Sequence, residues 1–238
     1  VGFASGAAHR PLLDAALDLA GRLGLGVSAV YVEEQVALDL CALPAMPTAR
    51  AMAIALDRHG RTIRGEVETR AGAAGLAVSF ETRRGSLAES LAARAGPGDL
   101  VVIPIDLAAR NLAPAVARAA GLAATAGGVL LVPERRPASH GPVAVVLRSG
   151  NAHAEAAARE LAAGLGVALR VFAVDGEMPG AERVLREGAA LTADDLGPEG
   201  ARIVVAPADL AHRIALTGPE APMRALRAAL LLLGPAGA

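Results

Sequence analysis

The chain repeats itself. Val1-Gly-Phe-Ala-Ser-Gly-Ala-Ala-His9 aligns with Val145-Val-Leu-Arg-Ser-Gly-Asn-Ala-His153, and an alanine- and leucine-rich stretch follows in both copies. Val101-Val-Ile-Pro-Ile-Asp-Leu-Ala-Ala-Arg110 aligns with Val204-Val-Ala-Pro-Ala-Asp-Leu-Ala-His-Arg213, with seven of ten residues identical, more than alanine richness explains. A third match sets Val129-Leu-Leu-Val-Pro133 against Leu231-Leu-Leu-Gly-Pro235. Because the matches keep their order, the fold must be one that a half-length unit can adopt twice.

The copies stand 144 residues apart at the first match and 103 at the second, so the second half lacks about forty residues between these landmarks. That length predicts the loss of one strand and one helix. Segments rich in Val, Ile, Leu or Phe predict strands at 1–5, 27–32, 76–82, 100–105 and 128–132, then at 143–148, 167–174, 202–206 and 230–233. Helices are predicted between them. Over 11–23, Asp14, Asp18 and Arg22 share a polar face opposite Leu12, Ala16, Leu19 and Leu23, with Pro11 suited to a first turn. Over 49–71, Met52, Leu56, Ile63 and Val67 align, although Gly60 and Gly65 weaken the helix. Ser86 and Glu89 form a capping box opening a helix at 87–95. Helices alternating with strands that are apolar throughout call for mostly parallel sheets covered on both faces. The expected division is 1–138 and 139–238, with Glu134 to Gly141 as the linker.

Composition removes several functions. The mean hydropathy is +0.43, but the excess is mostly alanine, and the longest apolar stretches, Gly121 to Pro133 and Ala228 to Pro235, are short enough to be buried strands and their flanks. No membrane span and no signal peptide are expected. One cysteine, Cys41, cannot form an internal disulfide, which points to a reducing cytosol of the bacterial type. A net charge of -1 and four aromatic residues, Phe3, Tyr31, Phe80 and Phe172, argue against nucleic acid. The chain has no lysine, so Schiff-base and Walker-type lysine chemistry are excluded.

In order and in residues, the sequence resembles the universal stress protein family in tandem form. The likeness rests on the first strand and loop, the helix Leu12 to Leu23, the strand Val27 to Glu33 ending Tyr-Val-Glu-Glu, the Asp99-Leu-Val-Val strand and the Leu-Leu-Val-Pro ending. It implies two α/β units of strand order 3-2-1-4-5, of the adenine nucleotide α-hydrolase type. Family members that bind ATP carry an aspartate ending the first strand and a spaced glycine run after the fourth, whose amides hold phosphate. Here the aspartate position is Ala4 in one copy and Arg148 in the other, and Pro104 and Pro207 stand where the glycine run would begin. Proline donates no N–H. The resemblance therefore implies no ATP bound in the usual manner, and no cofactor is expected.

Two places remain as ligand-site candidates. One joins Ser5, Gly6 and His9 to Asp106 and Arg110; its twin joins Ser149, Gly150, Asn151 and His153 to Asp209 and Arg213. In open parallel sheets, ligands bind beyond the carboxyl ends of the strands where strand order reverses, and these loops follow the first and fourth strands. Ser-Gly also serves simply to turn a chain into a helix, and Asp and Arg at i, i+4 form an ordinary surface ion pair. No catalytic residues or metal ligands are assigned. The expected role is a non-catalytic regulatory or protein-interaction module; the alternative is a binder of a nucleotide or small anion at the altered site. The resemblance also implies an intrachain pseudo-dimer in which 128–132 and 230–233 meet antiparallel. A homodimer and an unknown protein partner are further expectations.

Overall fold

The computed structural model describes residues 1–4, 9–34, 49–105, 113–133, 141–148, 151–174, 180–185, 191, 200–211 and 228–235. In the first half the elements run β1 (Gly2–Ala4), α1 (His9–Leu23), β2 (Val27–Glu34), α2 (Ala49–Ala73), β3 (Val78–Gly85), α3 (Leu87–Ala92), β4 (Leu100–Ile105), α4 (Ala113–Ala123) and β5 (Gly128–Pro133). The second half continues with β6 (Val143–Arg148), α5 (Ala152–Leu165), β7 (Leu169–Val174), β8 (Arg183–Leu185), β9 (Ile203–Pro207), a 3-10 turn at Ala208–Leu210 and β10 (Ala229–Leu233). Among these elements no helix is long and apolar enough to cross a membrane.

The strands form a three-stranded sheet, β1-β2-β3, and a seven-stranded sheet, β4-β5-β10-β9-β6-β7-β8. Within the second half the order is 3-2-1-4-5, and the first half gives the same order divided between its third and fourth positions, where β1 lies beside β4. The α/β class and the parallel-dominated sheets agree with the sequence reading. Adjacent strands pair parallel except β5 and β10, which are antiparallel with Leu131 opposite Leu230 and Leu130 opposite Leu231. The larger sheet is thus built from strands of both halves.

One expectation is corrected. The second half does not lose a whole strand: β8 keeps the third-strand position, pairing parallel with β7 over Phe172 to Val174, but is cut to three residues. Only eight residues separate β7 from β8, too few for a helix like the 25-residue α2. A short parallel pair survives because it hydrogen-bonds to an existing edge and needs little apolar surface of its own.

Both sheet faces are covered. One face carries α1, α2 and α5, where Leu12, Leu13, Ile63, Val67 and Leu161 pack on Phe3, Val145, Val205 and Leu231. The other carries α3 and α4, where Leu91, Val116 and Leu122 pack on Val30, Val101, Leu131 and Leu230. Alternate residues of β5 and β10 thereby serve opposite layers, as strand geometry requires, and such doubly buried strands read as continuous apolar runs.

Local chemistry explains the helix ends. Ser86 Oγ accepts from Glu89 N at 3.5 Å to start α3, and Gly166, at φ 66°, closes α5 with a left-handed cap. Helix α2 runs unbroken through Gly60 and Gly65. It extends roughly 37 Å, longer than the eight-residue β2 at about 27 Å, so its first turns overhang the sheet. Ile63 and Val67 are fully buried, whereas Met52, expected on the same inward face, is 38% exposed.

Candidate functional site

Of the first-half candidates, Ser5, Gly6, Asp106 and Arg110 lie outside the described residues, as do Ser149, Gly150 and Arg213 of the twin. His9, Asn151, His153 and Asp209 are placed.

His9 opens α1 and reaches across to α2. Its Nε2 lies 2.6 Å from Glu66 Oε2. An ionised carboxylate only accepts, so Nε2 carries the proton and donates. Glu66 Oε1 takes Arg10 Nε at 3.0 Å and Arg70 Nε at 3.2 Å, and Arg70 also pairs with Asp14. Burial pushes the Glu66 carboxyl up, but the His9 hydrogen bond and the charges of His9, Arg10 and Arg70 outweigh it, leaving its pKa below the ordinary value.

Behind this pair the ring of His59 meets His9 edge-on at 6.0 Å and Tyr31 at 5.8 Å. Burial, then the neighbouring His9, lowers the pKa of His59. Burial, then Glu33, pushes the Tyr31 phenol up to about 12. Tyr31 OH and His59 Nε2 are buried without a hydrogen-bond partner. Gly60 makes room for the phenol, since a Cβ there would stand 2.9 Å from Tyr31 Cε1.

The twin is built differently. Asn151 occupies the N-cap of α5 without a side-chain cap bond, and His153 is exposed on the first turn. The eight residues between β7 and β8 are too few for a counterpart of the 25-residue α2, which supplies Glu66 in the first half, and this difference separates His153 from His9. Asp209, in the 3-10 turn after β9, pairs with Arg148 at the end of the adjacent strand β6, Nη1 to Oδ2 at 3.6 Å. Both side chains are well exposed, so the bond is a weak one. Its position carries the interest: it ties the end of β6 to the turn that follows β9, the fourth strand of the second half.

Sequence reasoning missed Glu66, Arg10, Arg70, His59 and Tyr31. The available signal was Glu66 itself, an acid beside Ile63 and Val67 on the buried stripe of α2. Among the described residues, no group of three or more His, Cys, Asp or Glu side chains could hold a metal ion.

No family model matches the sequence. No curated protein sequence matches it either. Among solved structures, the fold is similar to the crystal structure of a universal stress protein from Archaeoglobus fulgidus DSM 4304, with a TM-score of 0.60 at 10% identity over 98% of this chain and 96% of that one. At that identity the likeness is one of fold, and it supports the universal-stress type of architecture.

Proposed function

We propose that the chain is a non-catalytic regulatory or protein-interaction module: two universal-stress-type units, 1–138 and 139–238, joined as a pseudo-dimer within one polypeptide. The reading also holds that neither unit binds ATP in the usual family manner. The observation that carries it is the Arg148–Asp209 pair. In the second unit the crevice position that a family aspartate would occupy holds a cation tied to a carboxylate, and Pro207 beside it offers no amide hydrogen. In the first unit, Ala4 ends β1 with no polar group at all. The antiparallel β5–β10 pairing supports the pseudo-dimer, because it covers two strand edges that would otherwise invite association.

The test is isothermal titration of the nucleotide-stripped protein with magnesium ATP and with AMP, alongside thermal melts. The expected result is no heat and an unchanged melting temperature at millimolar ATP. Micromolar binding would overturn the reading.

A second reading, a small-anion site, is favoured by one arrangement: Arg148, the start of α5 and the exposed His153 follow within six residues of chain, and Asn151 N donates to Arg148 O at 3.1 Å. An anion there would have to displace Asp209. Asp209→Ala would then tighten phosphate binding, and Arg148→Ala would abolish it.

A further inference from the structure

The seven-stranded sheet closes the two halves on each other through β5 and β10, which leaves β3 as the long outer strand among the described residues. Its inner side pairs parallel with β2 over all eight residues, Val78 to Gly85. On its outer side, among the described residues, no strand is paired, while α2 and α3 pack over its faces. The other outer strand, β8, has three residues. An eight-residue open edge offers a row of unpaired N–H and C=O groups, the kind of surface that recruits another strand.

We infer that the β3 edge is the contact through which two copies of this chain associate, antiparallel about Thr82. The argument is one of register and charge. In a two-fold dimer the same strand meets itself, and an axis normal to the sheet keeps each face continuous. Opposed residues therefore belong to the same face and differ by an even number of positions. Glu81 and Arg83 share a face, with Arg83 Nε 2.7 Å from Glu81 Oε1 and Arg94 also on Glu81 at 3.3 Å. Centred on Thr82, the pairing sets Glu81 of each copy opposite Arg83 of the other, twice over. It also sets Phe80 opposite Arg84 and Thr82 opposite itself. Shifting the centre to Glu81 puts carboxylate against carboxylate, and shifting it to Arg83 puts guanidinium against guanidinium. Directly opposed like charges disfavour those registers, and opposite charges favour the first. The charged residues that would protect an ordinary edge are here arranged to be self-complementary in one register.

Sedimentation equilibrium on the whole chain tests this. The wild-type protein is expected to dimerise. Arg83→Glu presents only acids at the two positions and Glu81→Arg only bases, so each variant alone is expected to raise the dimer Kd on the order of tenfold. An equimolar mixture of the two restores both opposite-charge pairs and is expected to associate. Thr82→Cys, made with Cys41→Ser, is expected to form a covalent dimer on mild oxidation, because the two thiols meet on the axis. Circular dichroism melts confirm that each variant is folded. A wild-type protein that stays monomeric, or a folded mixture that associates no better than its components, would overturn the inference. So would a Thr82→Cys variant that fails to cross-link.

Discussion

His9 Nε2 and Glu66 Oε2 lie 2.6 Å apart across 57 residues of chain. The bond fastens the first turn of α1 to α2. Glu66 accepts from His9 and pairs with Arg10 and Arg70 at once, and each loses its carboxylate partner there if that side chain is removed. Glu66→Ala is therefore expected to cost on the order of 2 kcal/mol, read as a lower midpoint in urea unfolding with an unchanged slope. A change below a few tenths of a kcal/mol would show that the cluster is merely a surface one.

The same cluster sets a pH profile. His59 has its folded pKa pushed below the ordinary 6.5, so its contribution is complete above 6.5 and is lost as pH falls through the lower folded value. Glu66, held below 4.5, contributes fully above 4.5 and loses that contribution as pH falls further. The melting temperature is expected to decline in two stages on acidification. His59→Phe should remove the upper stage and leave the lower one.

Tyr31 is the chain's one tyrosine, which makes its ionisation directly visible by ultraviolet absorbance. Its folded pKa of about 12 lies above the ordinary 10.0, so the neutral phenol stabilises the fold below pH 10.0. That stabilisation fades as pH rises toward 12. Phenolate absorbance should stay low in the folded protein at pH 11 and appear there once urea unfolds it. Equal titration in both states would refute the burial argument.

Two glycines on α2 should respond oppositely to alanine. At Gly65 a Cβ meets nothing within 4 Å, so Gly65→Ala should gain roughly 0.5–1 kcal/mol from helix propensity. Gly60→Ala would press a methyl into the Tyr31 ring and should lose about 1–3 kcal/mol by overpacking. Paired chemical denaturation of the two variants decides the matter. A stabilised Gly60→Ala would mean that Tyr31 can move aside.

The fold was legible where residues act through period and burial. Runs such as Val129-Leu-Leu-Val and Leu230-Leu-Leu-Leu announced β5 and β10 because strands buried on both faces tolerate no polar interruption. β8 escaped notice because three residues carry no period, and its pairing depends on β7 already being in place. The candidate site was legible at His9 and Asp209, but the partners that the structure gives them were not. His9 was read with its own loop, and Asp209 with the arginine one helical turn away in sequence. Their partners, Glu66 and Arg148, come from other elements, and spacing along a chain does not report which helix a crossover lays beside which strand.

The position of β10 has a consequence for how the molecule is made. Ala229–Leu233, the last of the described strands in sequence order, is inserted between β5 and β9, near the middle of the seven-stranded sheet. As the polypeptide leaves the ribosome, β5 and β9 are already present, each with an apolar edge waiting for a strand not yet synthesised. Folding of the large sheet cannot be completed residue by residue behind the ribosome; it must await this segment, and contacts so distant in sequence close slowly. Any nascent chain stalled before Ala229 would present two open edges at once, the condition under which a partly folded protein is most exposed to aggregation and in greatest need of a chaperone.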